Sequence, residues 1–358
     1  MYCPKCGTQN PDNAQSCNTC GAILTSSPTT TTPIVPKISG LAIAALILGI
    51  LSFFTCALTS IPAIICGIIG LVIIEKSGGR TTGRGLAIAG IVVPVFSFAL
   101  IIIILLPLRR TAHRLICGTN LSLMGMAMMN YANDHNDEFP RAGGENTRWS
   151  NKIADYRAPN RFLAYNIAPD GSGGEATITS SLYLLLRYSE VTPKSFVCMS
   201  DTGVREFRPA EYGANQMDIT TLWDFGPNPR EHCSYSYHMP YSQYALTASS
   251  EPGLAVAADR NPWIAGPATE PKNFSLFNPN GDIEAVQAGN SPSHQSETQN
   301  VLFVDIHVEQ AKSPNCGVND DNIYTFWNGQ DIQRGSPPAP YSSQPQDMAD
   351  SLLVNDWP

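Results

Sequence analysis

Residues 86–108 read LAIAGIVVPVFSFALIIIILLPL, an unbroken run without a charged side chain, and the far half of that run is apolar on every face. A helix needs about 20 such residues to cross the hydrocarbon core of a bilayer, and it satisfies its own backbone hydrogen bonds there. Beyond Pro107 the pattern changes. Cys117, Leu121, Met124, Met128 and Tyr131 recur at spacings of four and three, which draws one apolar stripe along a helix. A helix that starts in lipid is thus expected to end against a water-soluble core. The sequence predicts its end around Asn133-Asp134-His135-Asn136-Asp137, with Phe139-Pro140 as the stop.

Working toward the N-terminus, no charged residue occurs from Leu41 to Ile74. That run is long for one crossing, and Pro62 restricts the residue before it near the middle. It divides into a hairpin of two short helices, residues 41 to 57 and 61 to 75. Gly40, Ala42, Ala44, Ala45, Gly49, Gly67 and Gly70 would let the two approach closely. Cys56 and Cys66 read as small apolar fillers there. Lys76, Arg80 and Arg84 make a basic turn before the third helix, residues 86 to 108. Basic loops tend to stay cytoplasmic, so three crossings place the N-terminus in the cytosol and export the C-terminal part. Arg109, Arg110 and Arg114 argue the other way, and two crossings would return that part to the cytosol.

Charge follows the same division. Up to residue 108 there are five basic residues (Lys5, Lys37, Lys76, Arg80, Arg84) against Asp12 and Glu75, whereas the remainder carries 17 basic and 28 acidic side chains. The two halves face different surroundings.

The first residues hold two matched knuckles, Cys3-Pro4-Lys5-Cys6-Gly7 and Cys17-Asn18-Thr19-Cys20-Gly21. Four thiolates at the corners of a tetrahedron suit Zn²⁺. The segment is too short to bury a core of its own, so metal binding would supply most of its folding free energy. Each Gly is expected to let backbone N–H groups point back at sulfur. Residues 1 to 23 resemble the short zinc ribbons that precede many bacterial membrane proteins. Lys5 is the only cation before the linker, and a phosphate-binding surface needs several, so nucleic acid is a poor partner. Residues 24 to 38, rich in Thr, Ser and Pro, read as a flexible linker.

Two further resemblances follow. Ile38 to Val92, with the apolar hairpin, the Ser77-Gly78-Gly79-Arg80 turn and the Gly85-Leu86-Ala87-Ile88-Ala89-Gly90 restart, looks like a small bacterial membrane domain of unknown function. It carries no known catalytic residue.

Leu105 to Arg110, Cys117-Gly118-Thr119-Asn120-Leu121, Gly125-Met126-Ala127, Asn130 to Asp134 and Phe139-Pro140 resemble the helix exit of type II secretion pseudopilins. The resemblance is to the group with a C-terminal His and Asp-Gly signature. Phe196 to Asp201, Cys233 to Tyr237, and Asn300 to Val308 with upstream His294 extend it over about residues 95 to 330. It implies an α+β head in which a long N-terminal helix packs on an antiparallel sheet. Ile306 stands where the group has Gly, which puts the tight turn there in question. A prepilin peptidase substrate carries a Gly and then Phe-Thr-Leu-Ile-Glu; Val92 to Leu100 has neither the Gly nor the Glu. Neither processing nor ordinary assembly into a fibre is expected.

Among other candidates, Asn319, Asp320, Asp321 and Asn322 lie where major pseudopilins hold calcium, and their oxygens are of the kind Ca²⁺ takes. A solvated turn is the alternative. Cys117, Cys198, Cys233 and Cys316 would meet an oxidising compartment if exported, and four cysteines allow three pairings or none. His294, Asp305 and His307 are the residues a hydrolase would use. No G-x-S-x-G or H-E-x-x-H motif accompanies them, and a non-catalytic protein is expected. Trp149, Trp223, Tyr235, Tyr237, Tyr241 and Trp263 either line a partner surface or fill a core. The Pro-rich tail, 336 to 358, reads as disordered.

The expectation is therefore a multi-domain protein of the bacterial inner membrane: a four-cysteine zinc ribbon (1–23), a linker (24–38), a membrane section of transmembrane helices (39–108), an α+β pilin-like domain (109–335) and a tail. It would bind or scaffold envelope or secretion-system proteins. A transmembrane sensor with the ribbon as cytosolic reporter, and an envelope hydrolase, are the competing classes.

Overall fold

The computed structural model describes residues 1–24, 36–55, 58–213 and 217–358. Most of the expected linker, Cys56, and the expected end of the first membrane helix at 57 lie outside these residues. Two compact units emerge, Met1–Leu105 and Leu106–Pro358.

In the first unit, β1 (Lys37–Ile38) leads into α1 (Gly40–Leu51). Then come α2 (Ser60–Lys76), β2 (Thr81–Thr82), which pairs in parallel with β1, and α3 (Arg84–Asp134), which runs on into the second unit. The packing of these helices inverts that of a water-soluble protein. Ala42, Ala45, Ala63 and Ala87 are fully buried, while Ile47, Ile61, Val92 and Phe96 are each more than half exposed. Small residues meet at the helix contacts because they let backbones close in, and large apolar residues face outward where lipid would receive them. Gly90 has no room for a side chain: a Cβ there would lie 2.6 Å from the Ala45 carbonyl carbon. Gly67 is equally tight, with a Cβ position 2.6 Å from Ile91 Cγ1. Ser52 and Ser97, both buried, meet through their hydroxyls at 2.8 Å. Among the described residues α3 is the one helix long and apolar enough to cross a membrane. With 12 residues, α1 spans about 18 Å.

The second unit begins with the far half of α3. It continues through β3 (Arg148–Trp149), α4 (Arg161–Tyr165), β4 (Glu175–Ala176) and α5 (Ile178–Tyr188). Next come β5 (Tyr235–His238), β6 (Ala255–Asp259), α6 (Ile283–Gln287), β7 (Gln299–Phe303), β8 (Val308–Ala311) and β9 (Leu353–Val354). The main sheet has the order β8-β7-β6-β5-β9, and every neighbouring pair is antiparallel. The α3 stripe is buried at all five expected positions, Cys117, Leu121, Met124, Met128 and Tyr131. It lies on β7, since a Cβ at Gly125 would come 2.7 Å from Leu302 Cδ1. On α5, every residue from Ile178 to Leu186 is buried. Trp149, Trp223, Tyr235, Tyr237 and Trp263 are buried too and Tyr241 is half-buried, so these rings fill the core rather than cover a surface.

The disorder expected from Ser336 onward is corrected. Leu352, Leu353 and Val354 are fully buried, and β9 pairs with β5 through Tyr237 to Val354 and His238 to Leu353. The proline content masked a short apolar run that supplies the edge strand of the sheet. The turn between β7 and β8 does form despite its missing Gly, and Ile306 takes the left-handed conformation at φ 65°.

Candidate metal centre

Two short loops build the N-terminal site. An antiparallel bridge from Tyr2 to Gln9 closes the first, and one from Ser16 to Ile23 closes the second. Backbone N–H groups do point back at sulfur, those of Thr19 and Cys20 at Cys17, of Ala22 at Cys20 and of Thr8 at Cys6. The Gly7 and Gly21 N–H groups themselves close the turns, donating to the Cys3 and Cys17 carbonyls, both at 2.9 Å. Both glycines have positive φ, 74° and 67°, which turns each knuckle back under its thiols.

The sulfurs of Cys3 and Cys20 lie 3.6 Å apart and those of Cys6 and Cys17 3.5 Å apart; all four fall within 4.8 Å of one another. Four thiolates around zinc at about 2.3 Å sit about 3.7 Å apart. The spacing fits a closed tetrathiolate site. Its electrostatics ask for a cation. Backbone N–H groups of Thr19 and Cys20 pull the Cys17 thiol down to about 6. The Ala22 N–H favours the Cys20 thiolate, but the facing sulfurs of Cys6, Cys3 and Cys17 outweigh it and push Cys20 up. Four anionic sulfurs so close together need a dication between them.

Asn10 is a supporting residue that spacing alone did not reveal. It is buried, its Nδ2 donates to Cys17 Sγ at 3.5 Å and to the Thr8 carbonyl at 2.9 Å, and its Oδ1 accepts from the Asn18 N–H at 3.0 Å. That one amide ties both knuckles together. Lys5 is exposed, as are Cys6 and Cys20.

The calcium candidates do not converge. Asn319 and Asp320 are exposed, whereas Asp321 and Asn322 are buried. Asp321 Oδ2 accepts from the Ser351 N–H at 2.8 Å, and Asn322 Oδ1 accepts from the Tyr324 N–H at 3.1 Å. Both therefore anchor the C-terminal segment and the loop itself. The hydrolase candidates are also separated in role. Asp305 pairs with His307 on the exposed β7–β8 turn, while His294 is 1% exposed and lies beside Asp259 on β6, 3.4 Å away.

His294 brings a second convergence. Its Nε2 is 3.6 Å from Cys198 Sγ, and Cys198 Sγ is 2.6 Å from Cys117 Sγ. Cys117, Cys198, Asp259 and His294 place one donor atom each within 4.8 Å of the others, and all four are buried. Sequence spacing offers no signal for this set, because its members come from α3, a loop, β6 and a second loop. Cys233 is buried and Cys316 half-buried, and both are free thiols, as are Cys117 and Cys198 in this structure.

A family model described as a zinc-ribbon domain matches residues 2–24, and one described as a domain of unknown function, DUF4190, matches residues 41–104. No curated protein and no solved structure matches the chain. The N-terminal segment is a zinc ribbon, and the closeness of its four cysteines suits a zinc ion.

Proposed function

We propose that the chain is a non-catalytic scaffold of the bacterial inner membrane. The zinc ribbon lies in the cytosol, α1, α2 and the first half of α3 lie in the bilayer, and an exported pilin-like head binds envelope or secretion-system proteins. One observation carries this reading: α3 is a single helix of 51 residues whose stretch from Leu86 to Leu108 is uncharged and turns its large apolar side chains outward, and whose later half buries one stripe on an antiparallel sheet. Such a helix would serve as membrane anchor in its first half and as part of a head in its second. The greasy connection after α1 agrees, since Phe54 and Leu58 are each 81% exposed there and would seat a short hairpin in the bilayer interface. Arg114 pairs with Glu297 of the head, so it counts less against export than its charge alone would. The missing prepilin signature supports a subunit that is fixed in place rather than assembled into a fibre.

Protease added to spheroplasts is the test. The head should be cut while the ribbon stays intact, and the mature protein should keep the mass of the uncleaved chain. A protected head would remove the exported arrangement, and cleavage within α3 would remove the fixed anchor.

A second reading, a sensor that reports through the ribbon, draws support from Tyr2 and Ile23. These are 70% and 75% exposed on the ribbon and offer a protein contact. Capture by the ribbon of a cytosolic regulator, rather than of envelope proteins, would favour it.

A further inference from the structure

The buried set around His294 has the donor types of a metal site, but its distances point elsewhere. In the ribbon of the same molecule the paired sulfurs stand 3.5 and 3.6 Å apart, as zinc requires. Cys117 and Cys198 stand at 2.6 Å. That is inside the contact distance of two unbonded sulfurs, about 0.5 Å beyond a disulfide bond, and about 1 Å short of the spacing that zinc would need. The core around them is closed: Cys117 is 0% and Cys198 1% exposed.

We propose that Cys117 and Cys198 are joined in the mature protein by a disulfide that pins the emerging half of α3 to the loop before the sheet, with Asp259 and His294 as a buried charged pair beside it. The proposal rests on the exported position of the head, because a cytosolic head would stay reduced.

The charged pair has its own geometry. Asp259 Oδ2 accepts from the Asn300 N–H at 2.7 Å and lies 3.4 Å from His294 Nε2, while Asp259 Oδ1 and His294 Nδ1 have no partner. Three consecutive residues, His294, Gln295 and Ser296, take positive φ of 54°, 61° and 61° to hold the imidazole over the sulfurs. Backbone strain of this kind persists where the surroundings impose it. Burial works against the imidazolium, but the hydrogen bond to Asp259 and the contact with Cys117 outweigh it and raise His294 to about 9. The contact with Cys198, and His294 after it, pull Cys117 down to about 6. With both thiols reduced in the folded head, Cys117 is thus the more acidic of the two.

The chemistry is dithiol–disulfide exchange with an envelope oxidase in its disulfide form. Cys117 thiolate attacks one sulfur of the oxidant, forms a mixed disulfide and expels a thiolate. Cys198 gives its proton to that expelled thiolate, attacks Cys117 Sγ and expels the second, which takes up the proton that Cys117 released to water on ionising. Two electrons and two protons leave the pair overall, and the oxidant ends as a dithiol. Exchange must precede closure of the core, since the folded head leaves neither sulfur accessible.

The test uses the full chain, extracted from membranes directly into denaturant, chelator and an alkylating reagent without reductant, then digested. The expected product is one peptide pair joined through Cys117 and Cys198, two hydrogens lighter than its parts, with one zinc per chain in the undenatured protein. Alkylation of both cysteines without reductant would overturn the proposal, as would a bridge from either to Cys233 or Cys316. Two zinc ions per chain, one of them lost in C117A/C198A, would overturn it in favour of a metal centre. The spheroplast protease result is read separately: a missing bridge in a protease-accessible head defeats the bridge alone, whereas a protected head defeats the compartment.

Discussion

Asp356 Oδ2 accepts two hydrogen bonds from Thr179, one from its backbone N–H at 3.0 Å and one from its hydroxyl at 2.7 Å. Its other oxygen accepts from the Ile178 N–H at 2.7 Å. A carboxylate near the C-terminus thus satisfies the free N–H groups at the start of α5, beside the Thr177 and Ser180 capping box. Replacing Asp356 by Ala leaves those buried donors without a partner. The expected loss is about 3 kcal/mol, roughly 10 °C in Tm, and calorimetry of the full chain in detergent measures it. An unchanged Tm would mean that the tail is not held as described.

Ile306 sits in the left-handed region at φ 65°, which costs a residue with a Cβ about 1 kcal/mol or more. Ile306→Gly should therefore stabilise the head by about 1 kcal/mol despite the added freedom of the unfolded chain. Denaturant midpoints with an unchanged slope would show it, and a lower midpoint would refute the strain.

Stability should fall as the solution becomes alkaline. Burial, and then the charge of Asp356, raise Asp224 from 3.8 to about 8, so the folded head keeps a proton that the unfolded chain has lost. Between about pH 4 and pH 8 the native state binds more protons, and stability drops with rising pH. His294, raised above 6.5 against burial by its hydrogen bond to Asp259, adds to this: its contribution is complete below 6.5 and is lost as pH rises through its folded value. Tm measured from pH 5 to pH 9 should decline throughout, and Asp224→Asn should flatten the lower part. A Tm that climbs from pH 5 to pH 8 would contradict the assignment.

Chelation should unfold the ribbon and leave the head intact. A strong zinc chelator, or Cys17→Ser, is expected to make residues 1–24 sensitive to protease within minutes while the Tm of the second unit shifts by less than about 1 °C. Loss of the head transition on chelation would place a second structural metal there.

Gly90 should not tolerate a larger residue. Gly90→Val pushes a side chain into Ala45 of α1, where a Cβ alone is already at 2.6 Å, and should destabilise the helix packing by about 1–3 kcal/mol. Thermal aggregation in detergent reads the effect, with Gly85→Val as the control, because nothing lies within 4 Å of a Cβ there.

Sequence alone determined the features that depend on neighbours along the chain. The knuckles Cys3 to Cys6 and Cys17 to Cys20 declare a four-cysteine cluster by spacing, residues 86–108 declare a helix long and apolar enough to cross a membrane, and Cys117 to Tyr131 declare a buried stripe by period. Each is a local regularity, so it survives without knowledge of the fold. Only the tertiary structure decided what distant segments do together. The meeting of Cys117, Cys198, Asp259 and His294, the burial of Leu352 to Val354 under a proline-rich approach, and the capping of α5 by Asp356 join residues that are between 35 and 178 positions apart. No period or motif encodes such contacts, because they arise from how the sheet orders its strands and which side chains its core then encloses.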